Sequence, residues 1–269
     1  MPSTAKGRTL TADAITLALA SDTERFAAAI DGGSFKALGD ASLLISGIPI
    51  AFLNGVITVR TSVTRKDVAT LLDEVAACGL PYSLQIRPGC AAELLDLVHD
   101  RGMVMEDVPT PLMALARGSA ALATAAAHSR LSIRTLDRKE WRLLASISAD
   151  GFEEPVEMFE RFIPPAAWAI PGFRAYLGTV DGEPVTTALG STDGDYVGIF
   201  DVATPARHRG RGYGAAITAR AALDGFESGA SIAYLQSSVM GLKVYEKLGF
   251  RTLETWSVWM TPSNAPSHS

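Results

Sequence analysis

Residues 205–216 read PARHRGRGYGAA, and they interleave Arg207, His208, Arg209 and Arg211 with Gly210, Gly212 and Gly214 in a chain of 269 residues whose net charge is −5. A general nucleic-acid binder would carry a basic excess, which this composition excludes. The cations of this stretch are therefore read as serving one bound anion. Before them lies YVGIFDVAT, which alternates as a strand does; after them GAAITARAALDGFES has helical spacing and stops at Gly229. At a helix N-terminus the unpaired backbone N–H groups and the positive dipole end favour an anion. Glycines lack the Cβ that would hold a diphosphate away from the backbone, and Arg209 and Arg211 add local charge. The loop suits a pyrophosphate.

Other phosphate loops fit less well. No Lys-Ser or Lys-Thr pair follows the glycines, as a Walker A loop requires. Gly210, Gly212 and Ala215 satisfy the dinucleotide fingerprint G-x-G-x-x-[GA]. However, PARHRG separates them from the preceding strand, and the next strand ends LQSS without the ribose-binding acid. Too little chain follows Ala215 for the rest of a full dinucleotide domain.

Working outward, the composition is 48% hydrophobic and 20% charged, ordinary for one large or two smaller domains. The cysteines Cys78 and Cys90 have no histidines near them, so neither a zinc site nor a disulfide scaffold is expected, and a reduced, cytoplasmic setting is. Thr11, Asp13 and Thr16 interrupt the first apolar stretch, below signal-peptide quality, and no run is long enough to span a bilayer.

RGSAALATAAAHS (117–129) has no large apolar side chain after Leu122 and is read as a linker between residues 1–116 and 130–262, with 263–269 as a tail. The first part reads as a helix over 11–31, strands in SLLISG and IAFLNGVITV, a helix capped by Thr64, strand YSLQIR, a helix ending at Gly102, and a final extended stretch through MVMEDVPTPLMALA. The second part reads β, α, α, β, β, β, loop, α, β, α, β, its first helix capped by Asp137.

Taken together, VATPARHRGRGYGAA and LQSSVMGLKVYEKLGF resemble the GNAT superfamily of N-acetyltransferases. The loop [RQ]-x-x-G-x-[GA] is met by Arg209, Gly212 and Gly214, and Tyr245 with Leu248-Gly249-Phe250 stands at the place of the family's later strand–helix unit. The resemblance implies an α/β (α+β) fold with a mixed, mostly antiparallel sheet flanked by helices. It also implies an acetyl-CoA-dependent N-acetyltransferase whose loop residues Arg209, Gly210, Arg211, Gly212, Tyr213, Gly214 and Ala215 hold the pyrophosphate. Val202 would offer its N–H to the thioester carbonyl, Ala203 and Thr204 would pair the pantetheine arm, and Tyr245 would be the general acid, a phenol near ~10 being matched to a thiolate. Ser237 and Ser238 stand where many members have an asparagine, and Ser238 is expected on the pantetheine.

The general base stays open among Glu153, Glu154, Asp201 and water, and His208 is expected beside the phosphates or exposed. The first half, with VRTSVTRKDV lacking glycine where the loop would be, is expected to be a second, degenerate GNAT-like domain without CoA. The acceptor is expected to be a small-molecule or peptide amine, attacked directly by an enzyme acting as a monomer or homodimer without nucleic-acid or membrane partners. A non-catalytic CoA-binding sensor or interaction module is the rival reading.

Overall fold

Thr11 starts the first helix, α1 (Ala12–Ala27), by accepting the Ala14 N–H on its side chain. Strands β1 (Ser34–Leu38), β2 (Ala41–Ile45) and β3 (Asn54–Thr58) then run as an antiparallel meander. Helix α2 (Arg65–Ala77), capped by Thr64 through the Asp67 N–H, crosses to strand β4 (Ser83–Ile86), which lies parallel to β3. Helix α3 (Glu93–Asp100), strands β5 (Val104–Met105) and β6 (Thr110–Ala116), and helix α4 (Ala120–Ala126) complete the first half. The computed structural model describes residues 10–107 and 109–262. The expected tail, 263–269, and the first nine residues lie outside them.

The second half has the element order expected from its sequence. It comprises β7 (Ser132–Thr135), α5 (Trp141–Phe152), α6 (Val156–Phe162), β8 (Phe173–Val180), β9 (Glu183–Asp193) and β10 (Tyr196–Ala203), then α7 (Tyr213–Glu227), β11 (Ile232–Gln236), α8 (Val239–Leu248) and β12 (Arg251–Met260). Strands β7 to β10 are antiparallel neighbours, and β11 joins β10 in parallel after the α7 crossover. Among the described residues no helix is long and apolar enough to cross a membrane.

The two halves share one mixed sheet, in the order β1-β2-β3-β4-β12-β6-β11-β10-β9-β8-β7, with β5 beside β12. They exchange closing strands. Strand β6, from the first half, lies between β11 and β12. Residues Arg251–Trp256 of β12 pair with β6, while Ser257–Met260 pair with β4 and β5. The side chains follow the same exchange: Trp259 is buried in the core under α2 and α3, and Met113 and Leu115 in the core under α7.

Two sequence expectations change here. The extended stretch 103–116 is two strands rather than one, with Pro109, which has no N–H to give a ladder, standing just before β6. Residues 117–129 are not a free linker: Leu122 is fully buried in the core beneath α7 and anchors α4 against that helix. Alanine is the strongest helix former, and its small side chain permits this close approach.

Arg87, 2% exposed, pins the exchanged strand. Its Nε and Nη2 donate to the two Glu254 carboxylate oxygens at 2.8 Å each, Nη1 donates to the Val59 carbonyl, and Asp13 lies 2.7 Å away. Removing one partner of a buried pair strands the other charge. Arg87→Ala is therefore expected to lose about 3–5 kcal/mol in urea unfolding. Arg65→Ala, which breaks an exposed pair with Asp100, should lose about 1 kcal/mol or less.

Candidate active site

Strands β10 and β11 pair only through Tyr196–Gly198 and Ile232–Tyr234, and past that point they part. On its other side β10 carries a bulge: its register with β9 shifts between Phe200 and Ala203, leaving Asp201 and Val202 without partners, and Asp201 adopts φ 49°. Val202 thus sits at the gap between strands, with no register partner on either side. The Ala203 carbonyl accepts from the Thr186 hydroxyl at 2.8 Å, and Ala203 is buried and pairs with Thr187 of β9.

A cleft of about 520 Å³ opens at this splay. Its floor is the loop read from the sequence: Gly210, Gly212, Tyr213, Gly214 and Ala215, with Val202, Thr204 and His208 beside them. Gly210 and Gly212 have φ 76° and 84°, left-handed values that other residues rarely adopt. Gly212 is the N-cap of α7 and supplies no side-chain acceptor, so the N–H groups of Tyr213, Gly214 and Ala215 find none among the described residues. These orphaned donors fit a diphosphate, and a Cβ built on Gly210 would meet no protein atom within 4 Å, standing in open space.

The cations hold different positions around the cleft, and Arg209 is part of its wall. Arg209 is a brace: Nε donates to the Thr204 carbonyl at 3.0 Å, Nη2 to the Gly151 carbonyl at 2.7 Å, and Glu153 lies 3.2 Å away. Arg211 is exposed and has no ion-pair partner among the described residues, although it lies off the cleft wall. His208 lines the cleft and is buried, not exposed, with Nε2 3.2 Å from the Glu183 carboxylate. His128, at the end of α4, donates from Nε2 to the Arg211 carbonyl at 2.9 Å and meets Tyr213 edge-on. The sequence reading missed this support from the presumed linker.

Helix α8 forms the opposite wall. Tyr245 is nine-tenths buried against Phe250 and lines the cleft, and burial pushes its phenol up to about 12. That is higher than the sequence-based value, so the group stays protonated at physiological pH. Gly241, one turn earlier, leaves room for the ring, since a Cβ there would lie 2.7 Å from Tyr245 Cε2. Ser238 lines the cleft, but its oxygen caps α8 by accepting the Gly241 N–H at 3.2 Å; its own O–H remains available. Ser237 is buried and donates to the Ser238 carbonyl. Met240, Val244 and Lys247 reach the same wall at the helical spacing that follows Ser238. Phe152, 47% exposed at the end of α5, reaches it with no such signal in the sequence.

Of the candidate bases, Glu153 caps α5 and pairs with Arg209, and Glu154 is exposed; neither they nor Asp201 line the cleft. Asp201 differs. Desolvation pushes its carboxyl up to about 7 although it accepts a hydrogen bond from Ser148. Because the folded value exceeds the unfolded one, the native state holds the proton between pH ~4 and ~7. Stability from this residue is full below that window and falls as the pH rises through it. Asp201→Asn, which suits the left-handed backbone and can still accept from Ser148, is expected to remove up to ~4 kcal/mol of that slope, read as urea-unfolding free energy at pH 4 and pH 8.

A family model described as the acetyltransferase (GNAT) family matches residues 132–250. No curated protein sequence matches the chain. Among solved structures the chain is similar to a GCN5-related N-acetyltransferase from Kribbella flavida, with TM-score 0.67, 21% identity, and 95% of this chain and 98% of that chain covered. A GCN5-related N-acetyltransferase from Sphaerobacter thermophilus gives TM-score 0.59 at 15% identity, covering 87% and 85%. A tandem GNAT protein from the clavulanic acid biosynthesis pathway gives 0.56 at 14%, covering 94% and 97%. At these identities the likeness is one of fold. Residues 132–250, which carry the splayed strands and the glycine loop, form a domain of the acetyltransferase (GNAT) family.

Proposed function

We propose that the second half binds acetyl-CoA and transfers its acetyl group to an amine by direct attack. The observation that carries this reading is the uncapped N-terminus of α7 facing a cleft that ends at the unpaired Val202. In this reading the N–H groups of Tyr213, Gly214 and Ala215 bind the pyrophosphate, with Arg211 and Lys247 adding positive charge at the rim. Thr204 and the Ser238 hydroxyl flank the pantetheine arm, and the Val202 N–H donates to the thioester carbonyl oxygen as negative charge develops there.

Attack forms the carbon–nitrogen bond and breaks the carbon–sulfur bond; the nitrogen loses one proton, and the sulfur leaves as a thiolate that takes up a proton from solvent. A phenol held at about 12 lies above a thiol near ~8.5, so Tyr245 serves the leaving sulfur as a hydrogen-bond donor rather than by complete proton transfer. We assign Asp201, whose carboxyl is held near neutrality between Phe200 and Val202, to receive the amine proton through water. This direct route needs no cysteine at the cleft, and none lines it.

The first half repeats the plan of the second: an antiparallel strand pair, then a helix crossing to a parallel strand, β3–α2–β4 matching β10–α7–β11. We read it as a degenerate GNAT-like unit, in keeping with the tandem neighbour. Where α7 is uncapped, α2 is closed by its own Thr64 side chain, and no glycine opens a cradle. The test is release of free thiol from acetyl-CoA on addition of amines. Amine-dependent release supports transfer. Acetyl-CoA binding with no release on any amine would favour a sensor or interaction module.

A further inference from the structure

A second cavity, of about 160 Å³, lies at the seam of the two halves, and it shares no wall residue with the glycine-loop cleft. Phe200 and Gln236 line it; two residues further along each strand path, Val202 and Ser238 line the cleft. The splay between β10 and β11 therefore separates two chambers, one on each side of the place where the acetyl group would sit. The wall draws on both halves, with Leu44, Phe52 and Ile57 from the first facing Phe162 and Leu189 from the second, and Phe26 of α1 beside them.

The chemistry of this wall is narrow. Phenylalanines 26, 52, 162 and 200 make it aromatic, and its volume is close to the ~150 Å³ at which an apolar protein cavity accepts benzene. Phe52, 41% exposed, forms its open edge. The polar groups are few. Gln236 donates to Gln85 at 3.2 Å, so the pair is uncharged and partly self-satisfied. Asp22 is the charged residue on the wall, and its carboxylate already accepts from Arg25, Ser191 and Tyr234. Nothing there is left to neutralise a second ammonium, so a polycation would be desolvated without compensation. A single amine in these surroundings is pushed toward its neutral, nucleophilic form.

We propose that the acceptor is an arylalkyl primary amine whose ring fills this seam cavity while its nitrogen points through the splay toward Val202. The proposal rests on the acetyl-transfer reading above and gives the first half its role, as one wall of the acceptor pocket.

The test uses the full chain and two readouts. Calorimetric binding of 2-phenylethylamine, which needs no turnover, should be lost in Leu44→Trp, which fills the cavity, and weakened in Phe52→Ser, which strips its exposed edge. In both variants the thermal shift with acetyl-CoA should persist, which shows that they fold. Acetylation kcat/KM should favour 2-phenylethylamine and tryptamine over spermidine and lysine amide by about 10- to 100-fold. Spermidine turned over as well as the aryl amines, or aryl binding absent or unchanged in Leu44→Trp, would overturn the proposal. Aryl amine bound at the cavity but never acetylated would leave the pocket standing and refute the transfer reading instead.

Discussion

Gly212→Glu is expected to weaken acetyl-CoA binding at least ~100-fold, because it places a carboxylate at the helix end that should hold the pyrophosphate. The side chain has room: a Cβ at Gly212 would come no closer than 3.6 Å, to His128 Cδ2. The variant should fold, with a backbone cost of ~1–2 kcal/mol for a non-glycine residue at φ 84°. The carboxylate would then compete for the orphaned N–H groups of Tyr213, Gly214 and Ala215 and repel the diphosphate. Gly212→Ala carries the same backbone strain without the charge. Calorimetric titration of the pair separates the two effects: the alanine variant should retain measurable binding and the glutamate variant none. Equal binding by parent and glutamate variant would remove the loop from the site.

Tyr245→Phe should leave acetyl-CoA affinity and stability nearly unchanged while lowering kcat by about 10²–10³. The ring stays seated over Gly241 and against Phe250, so only the O–H is lost. With the phenol at about 12, activity should show no alkaline limb from this residue below pH 10. A phenylalanine variant with parental kcat would reduce Tyr245 to a packing residue.

The order of elements was legible because each signal is local. Thr64 capping α2, Gly102 ending α3 and the glycine spacing before α7 all act within a few residues of where they stand. Strand β1 was missed, since Ser34–Leu38 is a half-exposed edge without clear alternation. The strand exchange had no local signal at all. Alternation says which face a side chain takes, not which neighbour its strand pairs with, so neither Thr110–Ala116 nor Arg251–Met260 announces its partner.

Helix α4 could have been found: Ser119 precedes an alanine run of high helix propensity, with Leu122 as its one anchor. At the site, the loop and Tyr245 were readable by spacing, whereas the bracing by Arg209 depends on the carbonyls of Thr204 and Gly151, which only folding brings together. The seam cavity is the extreme case, since its wall runs from Leu19 to Gln236 and exists only once the halves share a sheet.

The most direct measurement is thermal unfolding of the parent protein with acetyl-CoA, with S-acetylpantetheine, which lacks the diphosphate, and with NADPH. Acetyl-CoA at ~100 times its Kd should stabilise the fold by ~2.7 kcal/mol, while S-acetylpantetheine and NADPH at the same concentration shift it little. Equal stabilisation by S-acetylpantetheine and acetyl-CoA, or a shift with NADPH alone, would contradict a glycine loop built to hold the pyrophosphate of acetyl-CoA.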